Sequence, residues 1–340
     1  MTVHSPIAAL RPAAALLCRV RHAGMTALVL AALASALASG PAVAAEETAA
    51  LLNRAATAAR QLNYTGTLVY QHAGRVENSR LVHLNESGKE FEKLVNLEGP
   101  AREVIRSNGE VRCYYPDAKV VRIEPRTFRN AFPSLSPQQQ KALTDYYEVR
   151  KAEADRVAGL DVQAWIFEPK DGLRYGQKLW FERTTGLLLK ARMQNERNEP
   201  VEQFTFTDIA IGGKLDRDMV KPTWPPAPPA WQVHEAGPGE ADAADTGWVI
   251  RAAPPGFSRV AEGYRTLRGK RSPVAHIVYS DGLVAVSVFV EPAGGVHPVG
   301  LLQQGGVNVF VRDADGFVVT ALGEAPTATI RQIANSVTRR

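Results

Sequence analysis

The chain has 340 residues, 45% hydrophobic and 22% charged, with 40 Lys plus Arg against 35 Asp plus Glu and a formal charge of +5. This composition excludes a wholly disordered chain, and 27 glycines without a strict period exclude collagen. Two cysteines exclude a disulfide-rich scaffold and any four-cysteine zinc site.

The N-terminal residues change the charge balance. Arg11, Arg19 and Arg21 precede an uncharged run from Ala23, most apolar over Met25–Leu37 and closed by Ala42-Val43-Ala44-Ala45. A basic stretch, a short apolar stretch and an A-x-A site predict a secretory signal peptide over 1–45, and cleavage after Ala44 or Ala45 fits equally well. As a membrane anchor the run is too Ala-rich and ends in Ser, Gly and Pro, where a span wants about 20 strongly apolar residues. Removing it takes three of the 40 basic residues and no acid, leaving 37 against 35 and a charge of +2. That removes most of the case for nucleic acid, which needs clustered basic charge. Cys113 is the one cysteine left.

Leu51, Leu52, Ala55, Ala58, Ala59 and Leu62 recur at helical spacing and predict an amphipathic helix over 48–62. After Asn63 the period becomes two. Strands are predicted over 65–72, 75–84, 89–97, 101–106 and 110–115, broken by short turns such as Asn108-Gly109. Residues 126–145, with Pro133 and Pro137, read as a loop with a short helix from Ser136. Strand signals return over 146–151, 161–169, 175–182, 187–194 and 201–208, giving about ten strands in one antiparallel sheet. Six prolines between Pro222 and Pro238 predict an extended linker over 221–246. Trp224 and Trp231 within it are unusual for a free linker, and either pin it to a domain surface or dock a partner. From Gly247 a smaller antiparallel sheet is predicted, followed by a final helix capped by Thr327, with Ile330, Ile333, Ala334 and Val337 on its buried face. The fold class is therefore α+β, mainly antiparallel β: a large curved sheet with helices, then a small sheet with one packed helix.

Alternation assigns the faces. Val111, Cys113 and Tyr115 share one face, Leu179 and Phe181 another apolar row, and Phe204 and Phe206 a third. Large sheets tend to curl, so a half-closed barrel with an apolar concavity is one outcome. Most such stripes are packing, so the residues by themselves favour a core filled by the helices and loop 126–145.

No H-E-x-x-H, paired C-x-x-C, G-x-S-x-G or G-x-G-x-x-G is present. Gly263 to Lys270 misses the phosphate-loop spacing by one residue and carries Arg271 where Ser or Thr is needed. The histidines are scattered, and Cys113 sits mid-strand on an apolar face, as a small hydrophobe does. An enzyme is the less favoured class, and no metal or cofactor is implied. Arg259, Arg265, Arg268, Lys270 and Arg271 form the densest basic cluster, able to attract an acidic peptide or a lipid phosphate but also readable as a solvated loop.

Five stretches resemble the MucB/RseB family in register. They are Leu62-Asn63-Tyr64 leading into 65–70, Gly99-Pro100-Ala101-Arg102-Glu103-Val104, Asp145-Tyr146-Tyr147-Glu148, Pro255-Gly256-Phe257 and Tyr279-Ser280-Asp281-Gly282-Leu283. The resemblance implies a periplasmic negative regulator of an envelope-stress sigma factor. It implies a half-barrel over 46–220 like the carriers LolA and LolB, and a C-terminal domain over 247–340. That domain would bind the periplasmic segment of a membrane-spanning anti-sigma factor and shield it from regulated proteolysis, with lipid or lipopolysaccharide fragments relieving the inhibition. On this footing the concave face is a lipid cavity, with Leu68, Tyr70, Val111, Tyr115, Leu179, Phe181, Phe204 and Phe206 as its lining. Arg259, Arg265, Arg268, Tyr279, Leu283 and Phe289 are the partner-binding candidates. The competing reading is a periplasmic lipid or lipoprotein carrier, for which the curved sheet alone would suffice; a homodimer is left open.

Overall fold

Tyr64 marks the change from helical to strand period, and from it the chain folds into sheets. The computed structural model describes residues 41–72, 74–107, 109–125, 143–235, 244–267, 272–294, 297–304 and 306–340. The Asn108-Gly109 turn, the short helix from Ser136, most of the export segment and Arg268 lie at least partly outside these residues. Residues 45–340 form one compact unit.

Helix α1 spans Pro41–Gln61. Eleven strands follow: β1 Tyr64–His72, β2 Arg75–Glu86, β3 Lys89–Asn96, β4 Glu103–Ser107, β5 Glu110–Tyr115, β6 Val120–Pro125, β7 Tyr147–Val157, β8 Leu160–Pro169, β9 Gly176–Glu182, β10 Leu188–Gln194 and β11 Pro200–Ile211. With β12 (Gln232–Glu235) they make a twelve-stranded sheet in the order β12-β6-β5-β4-β3-β2-β1-β11-β10-β9-β8-β7. Every pairing is antiparallel except β12 on β6. The strand β7, at one edge, comes back into contact with β11, so the sheet curls without closing.

Each strand pairing carries one face across the whole sheet. Leu81 faces Leu94, which faces Val104, which faces Cys113; on the other side Tyr70 faces Phe204, Ala191 and Leu179 in succession. Helix α1 lies on this face, where Leu52 and Ala55 pack with Trp165, Phe167, Leu179, Phe181 and Leu188. Its end is tied down by the Leu62-Asn63-Tyr64 stretch. The Leu62 carbonyl meets His83 Nδ1 at 2.8 Å, the Asn63 side-chain oxygen accepts from the Asn85 N–H at 2.8 Å, and the Tyr64 ring stacks on His83 at 4.7 Å.

The proline-rich stretch runs over the opposite face. The 3-10 turn Arg217–Val220 puts Val220 against Val82, Leu84 and Phe91. Trp224 and Trp231 pack on Ile105, Tyr114 and Val121, with the Trp224 ring 6.0 Å from Tyr114 and 5.8 Å from Trp231. Glu103, fully buried, accepts from the Thr223 N–H (2.8 Å) and hydroxyl (2.5 Å) and pairs with Lys93 at 3.0 Å. The two tryptophans thus hold this stretch to the sheet. Trp224→Ala is expected to cost about 1–2 kcal/mol, a ring pair plus lost apolar burial. Limited proteolysis should then cut residues 222–235 faster than in the parent, and an unchanged cutting rate would refute the anchoring.

The second sheet contains β14 Ser258–Arg265, β15 Val274–Ser280, β16 Ala285–Pro292, β17 Gly300–Gln304, β18 Val307–Ala314 and β19 Phe317–Gly323, in the order β14-β15-β16-β19-β18-β17. Beside it β13 (Trp248–Ile250) pairs with β20 (Val337–Arg339). Helix α2, Thr327–Asn335, packs on β18 and β19 through Thr329, Ile330, Ile333 and Ala334. Thr327 does not cap it. The Pro326 carbonyl takes the Thr329 and Ile330 N–H groups at 3.0 and 3.2 Å, so Thr327 is already helical. Val337 is buried, but on β20 beyond the helix end.

Candidate functional site: the concave face and the junction of the two sheets

All eight cavity candidates fall on the concave face by strand register. They differ in cover. Leu179, Phe181 and Phe206 are buried in cores that α1 helps to form, and Val111 is buried too. Leu68, Tyr70, Tyr115 and Phe204 are half-buried. Arg122 sits 5.7 Å over the Tyr115 ring, and the Tyr70 hydroxyl donates to Glu202 at 2.6 Å.

The partner candidates do not form one patch. Tyr279 and Leu283 pack against the core of the second sheet, and Leu283 also reaches the core beneath α1. Phe289 is on the other face, its ring stacked on His276 at 4.3 Å. Arg259 pairs with Glu262, three residues along β14, and Arg265 closes that strand.

Where the sheets meet, three of the five family-like stretches converge on a residue that no local pattern singles out. Arg174, in the turn between β8 and β9, has a side chain with no exposed area. Its Nε and Nη2 donate to the two oxygens of Asp171 at 3.0 Å each, its Nη1 to Asp281 Oδ2 at 3.3 Å and its Nη2 to the Pro255 carbonyl at 2.6 Å. Tyr146 and Phe257 flank the guanidinium at 4.8 and 5.3 Å, and Tyr147 lies at 5.6 Å. A planar fork that can pair and stack at once suits arginine and not lysine. Tyr147 donates its hydroxyl to Asp281 Oδ2 at 2.8 Å, while Asp281 Oδ1 takes the Leu283 and Val284 N–H groups. Burial pushes the Asp281 carboxyl above its ordinary value, against these hydrogen bonds and the Arg174 charge. Gly256 turns at φ +84°, and a Cβ there would lie 2.5 Å from the Tyr146 ring and 3.1 Å from Arg174 Nη1.

Around this cluster the Thr329 hydroxyl donates to the Leu173 carbonyl, and the Asn308 amide to the Tyr175 hydroxyl at 3.2 Å. Gly306 approaches Val201 so closely that a Cβ would sit 2.3 Å from its Cγ1. An open cleft of about 600 Å³ lies at this edge, lined by Arg75, Tyr175, Arg192, Glu202 and Gln303 among others. Among the described residues no three metal-ligating side chains converge.

This arrangement defines a two-sheet binding scaffold, in which a curved sheet with an apolar face is clamped to a smaller helix-backed sheet. Family models described as the MucB/RseB N-terminal domain and the MucB/RseB C-terminal domain match residues 47–224 and 242–338. The chain belongs to the MucB/RseB family. It is 32% identical over 311 residues to the sigma factor AlgU regulatory protein MucB of Pseudomonas aeruginosa, covering 87% of this chain and 92% of that protein. To the sigma-E factor regulatory protein RseB of Escherichia coli it is 25% identical over 304 residues, 89% of this chain and 94% of that one. Among solved structures, MucB in complex with MucA(peri) superposes with a TM-score of 0.67 at 29% identity, covering 86% of this chain and 99% of that one.

Proposed function

We propose that the chain is an exported periplasmic regulator that binds the periplasmic segment of a membrane-spanning anti-sigma factor and shields it from regulated proteolysis. On this reading it acts by binding and carries out no chemistry of its own. The supporting observation is the match along both sheets to a family whose member MucB has been crystallised with MucA(peri). Residues 46–220 supply the concave face, 221–246 the connection and 247–340 the part that engages the partner. Lipid or lipopolysaccharide fragments on the concave face relieve the inhibition, with Leu68, Tyr70, Tyr115 and Phe204 as accessible lining and Val111, Leu179, Phe181 and Phe206 behind them. Tyr279, Leu283, Phe289, Arg259, Arg265 and Arg268 are the positions to scan for partner contact.

The mechanism is a coupling of two binding equilibria, so a fragment that weakens the partner must be weakened by it to the same factor. Calorimetric titration of the mature chain with the periplasmic segment of the cognate anti-sigma factor tests this. Binding at about micromolar Kd or tighter is expected, weakened by added lipopolysaccharide fragment. Failure to bind that segment would overturn the regulatory reading, and lipoprotein cargo bound in its place would favour a carrier.

A further inference from the structure

The two large sheets have four edges, and an edge strand offers a row of unpaired backbone N–H and C=O groups to any extended chain that reaches it. Three of the four are guarded. The strand β7 carries six charged residues in eleven and shifts register between Lys151 and Ala154. The strand β12 is four residues long and ends in Glu235. The strand β14 carries Arg259, Glu262 and Arg265 and shifts register between Arg259 and Ala261. Charges, short length and broken register all discourage further pairing. The fourth edge, β17, has none of these. It reads Gly-Leu-Leu-Gln-Gln, pairs with β18 without a shift, and lies in a stretch with no Asp, Glu, Lys or Arg from Pro292 to Val311. Val299, Leu301 and Leu302 stand 60%, 44% and 47% exposed along it.

We propose that an extended segment of the partner adds to the second sheet as a strand along β17 and runs on into the cleft at the junction. This rests on the regulatory reading above and gives the partner's segment a place and a chemistry. Leu301 pairs with Phe310 and Leu302 with Val309, on opposite faces of the sheet, and the two rows continue to Ala321 and Leu322. A strand added there lengthens both rows only if it brings aliphatic side chains on both parities. The segment therefore carries adjacent aliphatic residues. Its backbone supplies the hydrogen bonds, and the match of its side chains to Leu301 and Leu302 supplies selectivity.

Gln303 of β17 lines the cleft together with Arg75, Val76, Arg192 and Val201 of the first sheet, so a segment on this edge touches both sheets. Of the carboxylates there, Glu202 accepts from the Tyr70 hydroxyl at 2.6 Å and Glu199 from the Asn195 amide at 2.8 Å. Arg192 donates to the neutral Gln203 oxygen at 2.8 Å, and Arg75 has no ion pair among the described residues. The two arginines suit an acidic residue at the cleft end of the segment. A second copy of the chain fits this edge poorly. Strand against strand would join five residues a side, where a stable interface takes about 20–30. The cleft of about 600 Å³ is ligand-sized, with room for one extended chain and not for another sheet.

Hydrogen exchange on the full mature chain, with and without a saturating amount of the periplasmic segment of the cognate anti-sigma factor, reads this directly. Outward-facing amides of 301–304 should exchange fast in the free chain and slow by about tenfold or more in the complex. Leu302→Lys, a charge set on the open edge, should weaken the segment's binding by about tenfold with an unchanged melting temperature. Arg75→Gln should weaken it by about threefold, the scale of one exposed ion pair. Val260→Lys, on the guarded β14 and 42% exposed, should leave binding as it is. A segment that binds without protecting 301–304, parental affinity in Leu302→Lys or Arg75→Gln, or an equal loss in Val260→Lys would overturn the proposal and leave the regulatory reading standing. A segment that does not bind at all overturns both. Protection of 301–304 that grows with chain concentration in the absence of the segment would give the edge to a second copy and overturn the proposal too.

Discussion

Replacing Arg174 with methionine is expected to cost about 3–5 kcal/mol of the unfolding free energy, the range for breaking a buried ion pair by removing one partner. Methionine keeps much of the apolar stem between Tyr146 and Phe257 but leaves Asp281, only 1% exposed, without its counter-charge. Asp171, with 28% of its side chain exposed, can return to water; Asp281 cannot. Burial already raises the Asp281 carboxyl, so without the guanidinium it should hold a proton to higher pH. The sign follows from linkage: the folded state then binds the proton more tightly than the unfolded chain. The variant's deficit therefore shrinks as pH falls below the raised value and is largest above it. Adding Asp281→Asn to Arg174→Met should recover part of the loss, since the amide oxygen can still take the Leu283 and Val284 N–H groups. Urea unfolding followed by tryptophan emission measures all of these. An Arg174→Met variant within 1 kcal/mol of the parent at neutral pH would mean that the cluster does not clamp the sheets.

Phe181→Ala is expected to cost a similar amount, about 3–5 kcal/mol, the range for emptying a buried phenylalanine site. Phe181 is 2% exposed, in the core where Leu52 and Ala55 of α1 meet β8 and β9, and a helix end tied at Asn63 cannot collapse freely into the hole. Tyr115→Ala, on the same face but half-buried, should cost no more than about 1 kcal/mol. The pair separates two uses of one face. If Phe181 packs and Tyr115 lines, the first substitution lowers the melting temperature and the second lowers uptake of a fluorescent acyl probe with little change in melting. Equal and small effects on melting would place Phe181 in an open cavity.

Much of this architecture is legible in order along the chain. Strand period, short glycine turns and the apolar rows at Val111–Tyr115, Leu179–Phe181 and Phe204–Phe206 place these residues on one side of one sheet, because side-chain direction in a strand depends only on parity. The strands β6 and β12 were not legible. The first follows a left-handed Lys119, at φ 51°, which ends the short 3-10 turn Pro116–Ala118 after β5. The second is four exposed residues that pair only because β6 offers them an edge. Trp224 and Trp231 announced that the proline stretch touches something, and the choice between a domain surface and a partner fell to Tyr114, Ile105 and Val121.

The junction shows the limit most clearly. Asp145-Tyr146-Tyr147-Glu148, Pro255-Gly256-Phe257 and Tyr279 to Leu283 stand out as family-like stretches, but nothing in their spacing says that they meet. They meet at Arg174, 107 residues from Asp281 and 81 from Pro255. An isolated arginine in a turn reads as a solvated charge. Only the closing of two sheets around it makes it the most buried cation among the described residues. By itself the sequence determined what is local and periodic: the elements, their faces and the family. The tertiary structure decided which charges are taken out of water and against what, because desolvation and pairing depend on distances between residues far apart in the chain.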